Sequence, residues 1–225
     1  MSKLISKHSE WARVAKELEA EDLKLASYDG TLLGLLGDAK GRRILDYGCG
    51  PGILASALIR GRADIQIYDI SPDMRYLAGE KIGHDRVCNS VEEIPRDYFD
   101  CVICNLVLCI VGDEVVPEIA RNLGDMASKE GKIYTGFCNP LIFNVEESQL
   151  DLREPTGQGY GENHQYRKTK KEGGYQIFEE HRPLEWYEET FKDSGLVVLG
   201  KHFTPEYELK GKHIEDFVIF EMRRG

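Results

Sequence analysis

No uninterrupted apolar stretch in the 225 residues approaches the roughly 20 needed to cross a bilayer, which argues against membrane insertion. The segment from Met1 to Trp11 lacks both an apolar h-region and a small-residue cleavage site, so it reads as part of the mature protein. Long Lys/Arg tracts are also missing, and the formal net charge is −10, so no broad phosphate-binding face emerges and nucleic acid is disfavoured as a substrate. The cysteines lack the spacing of a disulfide framework. Cys101, Cys104 and Cys109 lie in or just after one apolar run, Cys88 ends another, Cys49 sits in a glycine-rich loop, and Cys138 stands apart. They read as small buried hydrophobes in a reducing cytoplasm. Cys101-Val-Ile-Cys104 has CxxC spacing but no second CxxC or His pair beside it, and strand alternation sends residues three apart to opposite faces, so no metal site is expected. Internal repeats, linkers and low-complexity tracts are absent as well. The chain therefore reads as one domain over residues 1–225.

What is present is an alternation of short β-like runs and helical stretches. Strands are predicted at Ile44–Tyr47, Ile65–Ile70, Arg86–Cys88, Cys101–Asn105, Lys132–Phe137, Leu196–Phe203 and His213–Met222. Helices are predicted to begin near Ile53, Pro72, Val91 and Glu114, with another over Pro183–Ser194 stopped by Gly195; Ser71 and Pro72 form a cap and first turn. This pattern predicts an α/β fold with a mostly parallel, doubly wound sheet of seven strands and helices on both faces. Ahead of it, Trp11, Val14, Ala15, Leu18 and Leu25 repeat at helical spacing over Ser9–Leu25, and Leu32–Leu36 adds a second short piece, so residues 1–40 read as cap helices. Residues 139–182 break the alternation after strand five. They contain Arg167, Lys168, Lys170 and Lys171 and a hairpin turn at Glu172-Gly173-Gly174. The lysine run reads as a solvated turn, with attraction of an anionic ligand as its alternative.

The strongest local feature is Ile44-Leu45-Asp46-Tyr47-Gly48-Cys49-Gly50-Pro51-Gly52, an apolar strand entering a Gly-x-Gly-x-Gly curl and then a helix. Glycines there admit positive φ and let a ligand approach the backbone. A dinucleotide would suit Asp69, about 20 residues on. The third glycine, however, falls at Gly52 where a dinucleotide loop would have it at Ile53, and Asp46 would repel a diphosphate while favouring a cation.

Ile44–Gly52 resembles motif I of class I S-adenosylmethionine (SAM)-dependent methyltransferases, and Tyr68-Asp69-Ile70-Ser71 is similar to their second motif. Cys88–Pro95 resembles the segment after their third strand, Phe99–Leu108 the fourth-strand motif, and Ala127–Ile133 the turn into strand five, with Glu130 in place of a proline. His181-Arg182-Pro183-Leu184 with Tyr187, Gly195 and Leu196 is similar to a segment shared by small-molecule members of the family. The resemblance runs from about Arg42 to Leu199 and implies a Rossmann-like sheet, a core over residues 41–138, a substrate lid over 139–182 and a closing unit over 183–225.

It also implies SAM as cofactor and S-adenosylhomocysteine (SAH) as product. Cofactor contacts follow at Asp46, Gly48, Cys49, Gly50 and Gly52, at Asp69 for the ribose with Ile70 and Met74 after it, at Asn89, Ser90 and Val91 for the adenine, and at Asn105 and Leu106 for the methionine portion. His181 is the candidate base or substrate contact, and Tyr28, Tyr160, His164 and Tyr166 are candidate substrate residues; Asp29 stands beside Tyr28. The expected reaction is methyl transfer to an oxygen or nitrogen of a small acceptor, planar or anionic. An RNA or protein methyltransferase, an NAD-linked oxidoreductase and a non-catalytic SAM-binding module are the competing readings.

Overall fold

The computed structural model describes residues 3–225; Met1 and Ser2, at the start of the N-terminal segment, lie outside them. A short strand β1 (Lys3–Ile5) leads into a 3-10 turn (His8–Val14), helices α1 (Ala15–Glu19) and α2 (Asp22–Lys24), a π turn (Leu25–Asp29) and helix α3 (Gly30–Leu36). The single helix predicted over Ser9–Leu25 is therefore broken. The break falls at Ala20 and Glu21, whose ψ values of 11° and 68° leave the helical region. It turns Glu21 inward, where its buried carboxylate accepts a hydrogen bond from Tyr175 Oη. A tertiary contact here outweighs the local helical preference.

From Arg43 the chain alternates as predicted through β2 (Arg43–Tyr47), α4 (Ile53–Arg60), β3 (Asp64–Tyr68), α5 (Pro72–Ile82), β4 (Phe99–Asn105), α6 (Val116–Met126) and β5 (Ala127–Cys138). Ser71 Oγ caps α5 by accepting from Met74 N at 3.4 Å, and Pro72 occupies the first turn, where its missing N–H costs nothing. Beyond β5 come β6 (Asp151–Arg153), β7 (His164–Lys170), β8 (Tyr175–His181), α7 (Leu184–Asp193), β9 (Leu196–Phe203), β10 (Tyr207–Leu209), β11 (Lys212–Ile214) and β12 (Phe217–Arg224).

The central sheet has the order β3-β2-β4-β5-β12-β9. Its first four strands are parallel, and β12 runs antiparallel to both β5 and β9. Leu45, Val102 and Cys104 pack with residues of α6 and α7 on one face, while Ile44, Cys101 and Ile103 pack with α3, α4 and α5 on the other. The sheet is thus doubly wound, and the two cysteines of the CxxC spacing lie on opposite faces of it.

Two predicted strands differ in the structure. The seven-stranded sheet has six strands, because Arg86–Cys88 contributes only a single parallel bridge, Val87 to Ile67. The 3-10 turns His84–Arg86 and Val91–Glu93 leave too little extended chain for a ladder, and the second of them replaces the helix expected near Val91. The run His213–Met222 is split, because Asp216 turns inward, accepts from Tyr207 Oη at 2.7 Å and faces Arg153 at 3.7 Å.

The insert after β5 forms a second sheet of order β1-β8-β7-β6. Its hairpin turns at Gly173 and Gly174, both with positive φ (81° and 63°), as the glycine pair predicts. The parallel pairing of β1 with β8 has no sequence counterpart, since three residues carry no readable periodicity. Ile5, Val14, Tyr175 and Ile177 lock this edge together.

Candidate functional site

Chain order reverses around β2: β3 lies on one side of it and β4 on the other, so the loops after β2 and β4 diverge and leave a crevice at the strand carboxyl ends. The glycine curl lines the floor of this crevice. Gly48 N and Cys49 N donate to Tyr68 O at 2.7 and 3.0 Å, and Gly50 N donates to Asp69 Oδ2 at 2.9 Å. Gly48 has φ 81°, and a Cβ there would stand 2.2 Å from Val107 Cγ2. Asp69 Oδ1 accepts from Ser71 N at 2.8 Å, so this carboxylate ties β3 to the curl. Leu106, just past β4, is held at φ 57° with its N–H on Gly136 O, a strained backbone of the kind that collects at functional sites.

Asp46 ends the β2 side of the crevice. It is 1% exposed, and its Oδ2 has no hydrogen-bond partner. Burial pushes its pKa up to about 7, the nearby Asp29 and Asp69 carboxylates add to the rise, and Lys24 opposes it. Burial likewise raises Asp29, against the pull of Lys24 3.7 Å away. Asn105 Oδ1 is a further buried acceptor without a partner.

These groups border a cavity of about 1020 Å³ that continues from the curl to the inner face of the insert sheet. Of the residues expected to touch the cofactor, Asp46, Gly48, Cys49, Gly50, Asp69, Ile70, Met74, Val91, Asn105 and Leu106 line it. Gly52, Asn89 and Ser90 are not among the lining residues. Gly52 sits behind the curl against Ala78, and exposed Asn89 binds Glu93 Oε2 through its backbone N–H. Glu92 lines the cavity beside Val91.

The substrate candidates lie elsewhere. Tyr28 is fully buried, edge-on to Phe217 at 4.9 Å. Tyr166 Oη donates to Glu179 Oε2 at 2.5 Å from outside the cavity lining. His181 Nε2 donates to Tyr160 O at 2.8 Å, its ring packs on Phe143, Tyr160 and His164, and burial lowers its pKa. This aromatic group fastens the end of the insert to α7, and none of its members borders the cavity. The structure thus leaves His181, Tyr28, Tyr160, His164 and Tyr166 off the lining of this cavity.

In their place the cavity meets Glu21, Lys24, Asp29, Lys168, Lys170 and Glu179. Lys168 and Lys170, read from sequence as a solvated turn, are buried. Lys168 Nζ lies 2.6 Å from Glu179 Oε2 and 3.4 Å from Asp151 Oδ2, and Lys170 Nζ lies 2.9 Å from Asp151 Oδ1. Burial would raise the Glu179 carboxyl, but the charge on Lys168 together with hydrogen bonds from Cys138, Lys168 and Tyr166 outweighs it and holds the group below the ordinary range. Their spacing of two residues along a strand was the available signal, since it puts both on one face. Glu21 and Glu179 carried none.

A family model described as a methyltransferase domain matches residues 19–198. The chain belongs to this methyltransferase-domain family. The family resemblance extends to an uncharacterized methyltransferase of Anoxybacillus flavithermus (strain DSM 21510 / WK1), 25% identical over 138 residues that cover 59% of this chain and 64% of that protein, so less than two thirds of that relative is spanned. Among solved structures, a candidate SAM-dependent methyltransferase from Listeria monocytogenes superposes with a TM-score of 0.67 at 19% identity, covering 91% of this chain and 99% of that one. A DhpI–SAH complex superposes with a TM-score of 0.60 at 18% identity, over 98% and 96% of the two chains. These likenesses show the shared methyltransferase fold.

Proposed function

We propose that this protein transfers the methyl group of SAM to an oxygen or nitrogen atom of a small acceptor. The observation that carries the proposal is Asp46: a buried carboxylate whose Oδ2 lacks a donor, at the edge of a cavity floored by a glycine curl. Leaving such a group unpaired is costly, and a cationic ligand relieves it. A diphosphate would instead meet Asp46, Asp29 and Asp69 together, which weighs against a dinucleotide.

The residues present suit SAM. Asp69 keeps lone pairs for ribose hydroxyls beyond the two backbone N–H groups it already accepts, and Asn105 Oδ1 offers a free acceptor at the end of β4. When bound, SAM supplies a methyl group on a sulfonium, whose C–S bonding electrons pass to sulfur as the acceptor's lone pair makes the new bond. The protein's part is to align the acceptor and exclude water. Asn105 and Leu106 border the donor, and the β6–β8 insert, within residues 139–182, serves as the lid whose inner face receives the acceptor. The net charge of −10 disfavours RNA. Six free, buried cysteines suit a reducing cytoplasm, and among the described residues no helix is long and apolar enough to cross a membrane.

Isothermal titration with SAM and with NAD tests the donor; SAM should bind and NAD should not. Incubating the protein with labelled SAM and a metabolite extract should give a labelled small molecule. Binding of NAD without SAM would overturn the proposal.

A further inference from the structure

Two buried ions, Lys24 and Asp29, stand at the ends of the π turn, whose Tyr28 anchors it in the core. Lys24 and Asp29 are 9% and 6% exposed. They stand 3.7 Å apart, beyond hydrogen-bonding distance, and Asp29 Oδ1 has no hydrogen-bond partner. Buried ions are normally paired closely and satisfied, since desolvation otherwise outweighs attraction. Both residues line the same cavity as Asp46, and both are near enough to act on its charge.

Local geometry explains how they come to share a side. In an α-helix, residues five apart point about 140° away from each other. The π turn substitutes an i→i+5 bond, Gly30 N to Leu25 O, which widens that turn and lets positions 24 and 29 face the same space. Glu21, turned inward at the preceding break, keeps this segment against the insert sheet through Tyr175.

Around Asp46 the π turn therefore adds one carboxylate, Asp29, and one ammonium, Lys24, to the lining of the crevice. The reactive end of SAM carries the converse set: a sulfonium, an ammonium and a carboxylate. We infer that the π turn recognises the amino-acid end of the donor, with Lys24 taking its carboxylate and Asp29 sharing its ammonium with Asp46. This inference rests on SAM being the donor and assigns Lys24 and Asp29 a binding role that no sequence motif marks.

The test compares SAH with 5′-methylthioadenosine, which has the same nucleoside and thioether but no amino-acid end. By isothermal titration, Lys24→Met and Asp29→Asn should each weaken SAH binding about tenfold to a hundredfold and leave methylthioadenosine within about twofold of wild type, as expected for lost bonds to charged groups. Lys24→Arg should recover part of the loss. Wild-type protein should bind decarboxylated SAM about tenfold or more weaker than SAM, and Lys24→Met should lose that discrimination, a comparison that holds whatever the variant's stability. Unchanged SAH affinity in both variants, an equal loss for both thioethers, or no wild-type preference for the carboxylate would overturn the inference. Wild-type protein that binds methylthioadenosine but neither SAM nor SAH would sink the donor assignment as well.

Discussion

Asp46 shows the cost of a buried carboxylate whose Oδ2 has no donor. Its folded pKa of about 7 stands well above the ordinary 3.8, so between these values the folded protein holds more protons than the unfolded chain. Stability from this group is therefore fully retained below about pH 4, declines as pH rises toward 7, and by pH 8 the group carries a penalty of up to about 4 kcal/mol. Asp46→Asn should stabilise the ligand-free protein by about 1–3 kcal/mol at pH 8, with the gain vanishing near pH 4, while SAM binding weakens more than about tenfold. Urea melts at the two pH values and a titration with SAM measure both effects. Gly48 is constrained in the opposite sense. With φ 81° and Val107 Cγ2 2.2 Å from where a Cβ would lie, Gly48→Ala should cost about 1–3 kcal/mol in the same melts and displace the curl from its ligand.

At the scale of elements, Arg182 connects the insert after β5 to the core. Fully buried at the β8–α7 junction, it donates to Leu108 O at 2.7 Å, Val111 O at 2.5 Å, Asp113 Oδ1 at 2.5 Å and Tyr187 Oη at 3.2 Å. It thereby fixes the loop after β4, whose Cys109 and Val111 border the cavity. Arg182→Met strands the buried Leu108 carbonyl and the part-buried Val111 carbonyl and should cost about 2–4 kcal/mol, read as a lower urea midpoint and faster proteolysis near residues 108–113. The family resemblance pointed to His181-Arg182-Pro183-Leu184, yet the sequence reading favoured the histidine, whose neighbours Phe143 and Tyr160 are remote in sequence. The core elements were legible because β2, β3, β4 and β5 are apolar runs with sharp polar ends, and Ser71-Pro72 and the glycine curl are local chemistry. Less could be read where partners are distant: the helix periodicity over Ser9–Leu25 gives no sign that Glu21 bonds Tyr175, and Lys168 reads as solvent-facing until Asp151 and Glu179 are brought beside it.

Across the whole molecule, the cavity is lined both by the carboxyl ends of the central sheet and by the insert sheet with β1 and the N-terminal turns. Direct ties exist, such as Lys81 Nζ bridging Glu19 Oε1 at 2.5 Å and Pro51 O at 2.7 Å, while Asp46 Oδ2 and Asp29 Oδ1 at the cavity have no hydrogen-bond partner. A donor that satisfies both Asp46 and the π turn should therefore stabilise the assembly as one unit. At a concentration of about 100 times its Kd, linkage gives about 2.7 kcal/mol, or a rise in melting temperature of roughly 5–10 °C for a chain of 225 residues. Because Asp46 must lose its proton to pair with a cation, and its pKa is about 7, the same SAM concentration at pH 6 faces a roughly tenfold weaker site and should give about half the shift seen at pH 8. Thermal melts with SAM at the two pH values measure this directly. A shift that is equal or larger at pH 6 would mean that the cation is held by some group other than Asp46.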